Sequence, residues 1–418
     1  MIKKLRAKRA LLTILFTIFV DMLGVGILIP VIPLLLVDPR SPYYLLPPGM
    51  DVRQGFILLG FLTASYPLMM FLASPILGQL SDVYGRRVLL AISLGGTFLS
   101  YLVFAVGIIT RNIPLLFFSR MVDGITGGNI AVAQAAVADV TKPADRAKTF
   151  GLIGAVFGLG FILGPYLGGK LSDHGLVSWF SAATPFWFAA FLSFMNVLSV
   201  LLFFPETRAS VQEVIRIRWG RSFHNIARAL TLRGMRGLFV TSLLYNSGFS
   251  FLTSFFSVYL IRRFGFSQGN IGDFFAYMGL WIVITQAVIT RKVAIRASEP
   301  VVLRVTLAGT AIATILFFVP HVWWQLLFIA PILAINNGLT HANLLGLISR
   351  SADRSIQGEI LGINASMQAI AQAIPPILSG FVAATFNPEM PILVSALIIF
   401  LSWVFFCAVF HPFKRQTV

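Results

Sequence analysis

The stretch Gly78-Gln79-Leu80-Ser81-Asp82-Val83-Tyr84-Gly85-Arg86-Arg87 is a charged, glycine-punctuated segment between two apolar runs, each long enough to cross a bilayer. Non-helical backbone has no partners in hydrocarbon, so such a segment belongs at the water interface, where it can be hydrated. Gly78 and Gly85 permit a tight exit and re-entry of two helices. Asp82 is suited to accept backbone N–H bonds or to face a helix N-terminus. Arg86 and Arg87 can pair with a carboxylate at the inner end of another helix, and Asp139 is the candidate.

Working outward, 57% of the 418 residues are hydrophobic and only 11% are charged, with a mean hydropathy of +0.86. So little charge cannot cover the surface of a soluble domain, so the class is a polytopic membrane protein. Apolar runs of about 18–25 residues mark twelve spans near 11–36, 54–77, 88–110, 114–139, 149–171, 185–204, 238–261, 270–289, 300–319, 322–348, 358–385 and 390–411. The first run is too long for a signal peptide and has no convincing cleavage site, so it reads as a retained helix. A single cysteine, Cys407, forms no internal disulfide, and no metal-ligand spacing occurs.

The net charge of +17 raises the prospect of a nucleic-acid partner, but its placement argues against one. With the N-terminus inside, Arg40, Arg53, Arg111, Lys170, Arg262 and Arg263 fall outside and Arg120 lies within a span. The remaining Lys and Arg are on the inner side. This bias puts both termini in the cytoplasm, and the inner charge also suits an anionic leaflet. A basic linker, 205–237, divides the chain into a bundle over 1–204 and another over 238–418. Within the linker, Ser222 to Leu230 has an apolar and a basic side. It reads either as an interfacial helix on the inner leaflet or as a solvated basic linker.

Polar residues inside the spans are the candidate functional groups. Asp21 lies about 15 Å into span one at 1.5 Å per residue, near the midplane, where a carboxylate is costly. Span four carries Arg120, Asp123, Gly124 and Gly128. Arg120, Gly124 and Gly128 repeat every four residues and share a face, the glycines allowing a neighbouring backbone to come close. Arg120 can serve either acid, so Asp21 and Asp123 both stand as proton carriers, and structural ion pairing is the alternative for each. In span five, Gly160, Gly164 and Gly168 form a small-residue ridge, followed by Gly169, with Pro165 adding a kink. A dinucleotide fingerprint is rejected there because no strand precedes it. Tyr245 and Asn246, then Asn336, Asn337 and His341, then Asn364 and Gln368 put polar groups in spans seven, ten and eleven. Such groups need a cavity or one another. His341 fits a hydrogen-bonded structural role or proton handling equally.

Gly-x-Leu-Ser-Asp-x-x-Gly-Arg-Arg resembles the signature of the major facilitator superfamily between its second and third helices. The resemblance implies an all-α fold of twelve transmembrane helices in two pseudo-symmetric six-helix bundles. It makes Gly78, Asp82, Gly85, Arg86, Arg87 and Asp139 a latch of the outward-facing state. Asp21-x-x-Gly-x-Gly with Pro30-x-x-Pro33 is similar to span one of the drug–proton antiporter branch, and of tetracycline-type exporters in particular. Arg120 followed by glycines resembles the motif of proton-coupled members, with Asp123 where that motif usually has Gln. Gly160-x-x-x-Gly164-Pro165-x-x-Gly168-Gly169 resembles the antiporter motif, and the stretch Asp353 to Gly362 resembles the start of span eleven of those exporters. Span eight has no histidine, unlike some tetracycline exporters, which argues against tetracycline itself as substrate.

The resemblance thus implies a proton-coupled antiporter exporting small amphipathic compounds. It would be a multi-pass monomer of the cell (inner or plasma) membrane with no enzymatic activity and no cofactor beyond the proton gradient. A symporter or lipid flippase of the same fold is the nearest alternative, and a non-transporting membrane sensor the remoter one.

Overall fold

The computed structural model describes residues 2–141, 146–207, 220–232, 234–351 and 357–410. Each expected span is helical: α1 (Ile2–Leu36), α2 (Val52–Tyr84), α3 (Arg86–Ile109), α4 (Ile113–Thr126) with α5 (Asn129–Val140), α6 (Arg146–Leu171) and α7 (Thr184–Phe203) form the first six. After the linker helix α8 (Arg221–Thr231) come α9 (Arg236–Phe264), α10 (Gln268–Ile284) continuing through a π turn into α11 (Thr290–Arg296), α12 (Glu299–Leu316), α13 (Leu326–Arg350), α14 (Gln357–Thr385) and α15 (Met390–Val409). Both ends of the described chain lie at one end of the bundle, termed here the terminal end. Most of the linker's arginines, and Asp353 to Ser355, lie outside the described residues.

Local chemistry sets the boundaries. Asn112 caps α4 by accepting from the Leu115 N–H at 3.1 Å, and Ser267 and Asn270 form a reciprocal capping box at the start of α10. Gly265 ends α9 in the left-handed region at φ 68°. Among the described residues, nine helices are long and apolar enough to cross a membrane by length and composition alone. The spans outside those nine are the fourth, seventh and tenth, which carry polar groups or a break.

Three expectations need correction. The segment around Asp82 is not a loop: α2 runs through Tyr84 and α3 begins at Arg86, so Gly85 alone makes the turn. Gly78 is inside α2 with open space where a Cβ would stand. Span four is two helices rather than one, broken at Gly127-Gly128. The linker helix does not lie on the bilayer surface alone. Its Ser222 Oγ donates to the Phe71 carbonyl of α2 at 2.6 Å, and Asn225 donates to Ser366 of α14 at 3.0 Å. Arg228 and Glu359 pair at 2.6 Å. α8 thus docks on α2 and α14 through its polar residues, while Phe223 and Leu230 stay exposed.

At the opposite, far end, α2 and α14 meet directly, as do α6 and α10. A Cβ on Gly60 would stand 3.2 Å from the Gly380 Cα, and one on Gly169 3.0 Å from the Gly272 Cα. Lys170 and Asp273 pair across that seam at 2.8 Å, and Arg262 donates to the Val37 carbonyl at 3.0 Å. Within the first six spans, apolar packing forms two clusters stacked along the helix axes. Ile18 belongs to the terminal-end cluster and Leu23 to the far one. Asp21 falls between them, so the polar site occupies the seam between two apolar layers.

Candidate functional site

The mid-span site is assembled from five helices. Asp21 on α1 is 6% exposed, Arg120 and Asp123 on α4 are 5% and 2%, and Asn129 at the start of α5 is fully buried. Arg120 pairs with Asp123, one turn apart on the same helix. Its guanidinium lies 4.6 Å over the Tyr66 ring of α2, a cation–π contact out of water. Nearby on α3, the Thr97 hydroxyl bonds that of Thr126 at 3.0 Å and Ser100 donates to the Thr97 carbonyl at 2.8 Å. Arg120 therefore serves Asp123, not Asp21. Asp21 Oδ2 is buried without a hydrogen-bond partner, and so are both amide atoms of neighbouring Asn129. An uncompensated carboxylate in this position is costly as an anion and comfortable as a neutral acid.

Span four reaches this geometry through its glycines. A Cβ on Gly124 would stand 2.7 Å from the Met69 Cβ and 3.0 Å from the Tyr66 Cα, and one on Gly128 2.9 Å from the Ser74 Cα. Arg120, Gly124 and Gly128 thus all face α2. The span-five ridge does the same against α1. A Cβ on Gly160 would stand 2.8 Å from the Phe19 carbonyl, one on Gly164 2.5 Å from the Leu23 carbonyl, and one on Gly168 2.5 Å from the Ile27 carbonyl. Pro165 packs on Gly26, and Gly169 turns instead to α10. The ridge presses the residues flanking Asp21 on both sides.

At the terminal end, Arg86 pairs with Asp82 at 2.7 Å and with Asp139 at 3.3 Å, and also donates to Ser81. Arg87 does not reach Asp139; its side chain donates to the Leu201 carbonyl. Glu206, just past α7, completes the corner. Its carboxylate accepts the Arg86 and Arg87 backbone N–H groups at 3.0 and 3.1 Å, capping the first turn of α3. Gly85 has φ 92°, and a Cβ there would stand 2.5 Å from Glu206 Oε2. Glu206→Ala is expected to cost about 1 kcal/mol for the lost cap, read as a lower unfolding temperature in detergent, with Glu206→Gln intermediate.

In the second half, Tyr245 donates to the Asn337 side chain, joining α9 to α13. Ser242 donates to Asn364 of α14 at 3.0 Å, and Asn246 donates back to the Ser242 carbonyl at 2.7 Å. Asn336 instead turns to the neighbouring α12: its amide fills the space at Gly309 and donates to the Ile332 carbonyl at 2.8 Å. His341 is exposed on α13. Gln368 is half-buried. Gln286, in the π turn after α10, donates to the Gly338 carbonyl at 3.2 Å, one turn from His341.

Sequence reasoning missed Glu206, Asn129, Tyr66 and Gln286. Asn129 carried a signal, a polar residue directly after a glycine pair inside an apolar span. Glu206 carried none, since its partner turn lies 119 and 120 residues earlier in the chain.

The family model described as Major Facilitator Superfamily matches residues 14–300. The chain belongs to the Major Facilitator Superfamily. Membership makes it a membrane transport protein rather than an enzyme. It is 31% identical over 388 residues to tetracycline resistance protein, class H, of Pasteurella multocida, covering 90% of this chain and 89% of that protein. It is 26% identical over 442 residues to major facilitator superfamily domain-containing protein 10 of Mus musculus, covering 97% and 94%. The fold matches the crystal structure of the human organic anion transporter MFSD10 (TETRAN), with a TM-score of 0.71 and 22% identity over 96% of this chain and 99% of that one. It also matches a D-xylose-proton symporter, with a TM-score of 0.76 and 14% identity over 99% and 100%. These likenesses establish the major facilitator fold.

Proposed function

We propose that this transporter is a proton-coupled exporter of small amphipathic compounds, working by alternating access. The observation that carries the reading is Asp21: a buried mid-span carboxyl whose Oδ2 has no partner, with no cation of its own, beside an Arg120 that pairs with Asp123. A proton bound at Asp21 removes an isolated charge from the apolar interior, so proton occupancy favours the arrangement that buries the site. In the arrangement that opens the site to water, hydration stabilises the anion and the proton leaves. Asp123 stays paired with Arg120 and holds α4 against α2.

Export rather than uptake follows from the span-five glycines, which match the antiporter motif and pack on α1 around Asp21. The relatives named as tetracycline resistance proteins support a drug-like, amphipathic substrate. The lysine and arginine bias puts both termini in the cytoplasm, with the basic side against an anionic leaflet. The protein works as a monomer in the cell membrane, with the proton gradient as its only energy source. The Arg86 corner is a latch that breaks and reforms as the two six-helix halves rock about the central site.

The test is drug accumulation in bacteria expressing the chain, with ethidium and tetracycline as probes. Lower steady-state accumulation of at least one probe, reversed by a protonophore, is the expected result. Accumulation raised by expression would place the protein among importers instead.

A further inference from the structure

A carboxyl that gains and loses a proton deep in a protein needs a neighbour suited to both of its forms. An arginine serves the anion only, and Arg120 is committed to Asp123. The titratable and polar groups facing Asp21 are Asp123 of α4, Tyr66 of α2, Tyr101 of α3 and Asn129 of α5, with the charged Arg120 beside Asp123 and Tyr66. Tyr66 lies beneath the Arg120 guanidinium, and the Tyr101 ring packs over Gly24. Asn129 is fully buried, and neither its Nδ2 nor its Oδ1 makes a hydrogen bond; Arg120 Nε is also without a partner, but it can only donate and its charge is paired with Asp123.

Buried amides are nearly always bonded, so an amide orphaned at both ends beside an orphaned carboxyl oxygen calls for an explanation. A capping role for α5 would show a bond between the Asn129 side chain and backbone, and none is present. The break at Gly127-Gly128 starts α5 at Asn129 instead of carrying one helix through, and α5 packs on α1. An amide has both a donor and an acceptor, and its terminal torsion is soft, so it can turn in place.

We propose that Asn129 is the positioning residue that serves Asp21 in both protonation states. The Nδ2–H donates to the carboxylate when Asp21 is ionised. When a proton is bound, acid and amide close a two-bond ring, the carboxyl O–H donating to Oδ1 and Nδ2–H donating to the carboxyl C=O. This rests on the reading of Asp21 as the proton carrier.

The test is pH-titrated infrared difference spectroscopy of the full chain in lipid, with the proton as the only probe. Asp21→Asn first assigns the protonated-carboxyl C=O band. In Asn129→Leu, of similar shape but without polar atoms, that band moves to higher wavenumber. Its titration midpoint moves by about one pH unit, a tenfold change in proton affinity. Asn129→Gln, which restores donor and acceptor, brings both back toward wild type. Should the leucine variant misassemble, Asn129→Val reads the same band. An unmoved band and midpoint in a folded apolar variant would overturn the role of Asn129, even if that variant is less stable. If Asp21→Asn removes no titrating band, the proton-carrier reading fails and the Asn129 role falls with it, whereas a band that Asp21→Asn removes and Asn129→Leu leaves unmoved overturns the Asn129 role alone.

Discussion

In an Asp21→Asn variant, substrate accumulation driven by a pH gradient is expected to fall to background while substrate-for-substrate exchange continues. The amide is isosteric with the acid and carries no proton, so the variant behaves as a permanently neutral site. Folding is expected to survive, because the substitution removes a buried, unpaired carboxylate and not a bonded one. Asp123→Asn is expected to behave differently. It strands Arg120 as a buried cation, and breaking such a pair by removing one partner costs about 3–5 kcal/mol. A thermal unfolding series on both variants, run beside flux and counterflow assays, separates the two acids. Asp21→Asn keeps its unfolding temperature and loses coupling; Asp123→Asn loses the folded protein. The opposite pattern would make Asp123 the carrier and Asp21 a structural group.

Gly164→Leu is expected to have the largest effect on assembly. Even the first carbon of the new side chain would stand 2.5 Å from the Leu23 carbonyl and 2.7 Å from the Gly26 Cα, both backbone atoms of α1. Neither can yield without moving the helix, so the α1–α6 seam must part, at about 3 kcal/mol or more by the measure of overpacked cores. Gly158→Ala is the matched control: it lies in the same helix, with nothing within 4 Å of its Cβ position. Fluorescence-detected size exclusion is expected to show a monodisperse peak for Gly158→Ala and aggregate for Gly164→Leu. A monodisperse Gly164→Leu would mean that α1 and α6 do not need this close approach.

The prediction for Gly164 was legible from spacing alone, because a small-residue ridge along an apolar helix has one physical use. The spans were legible for a similar reason: hydropathy is a property of consecutive residues, and helices in hydrocarbon are made of consecutive residues. Asp21 stood out because an acid in an apolar run is expensive wherever the rest of the chain goes. The assignment of Arg120 between two acids was not legible. Asp123 lies one turn along the same helix and Asp21 on another, and only packing chooses between them. Gly78 looked like Gly85 in sequence, but only Gly85 takes a positive φ, because α2 carries on past Gly78 to Tyr84. Glu206 and the docking of α8 on α2 and α14 are contacts between distant parts of the chain. Neither leaves a periodic trace.

The direct measurement of the central claim is made in proteoliposomes with an imposed pH gradient and a pH-sensitive dye sealed inside. Ethidium and tetracycline movement is recorded together with internal pH. Protons moving against the compound, with both fluxes lost in Asp21→Asn, is the predicted result. Protons moving with the compound, or compound flux that leaves internal pH unchanged in the wild-type protein, would contradict it.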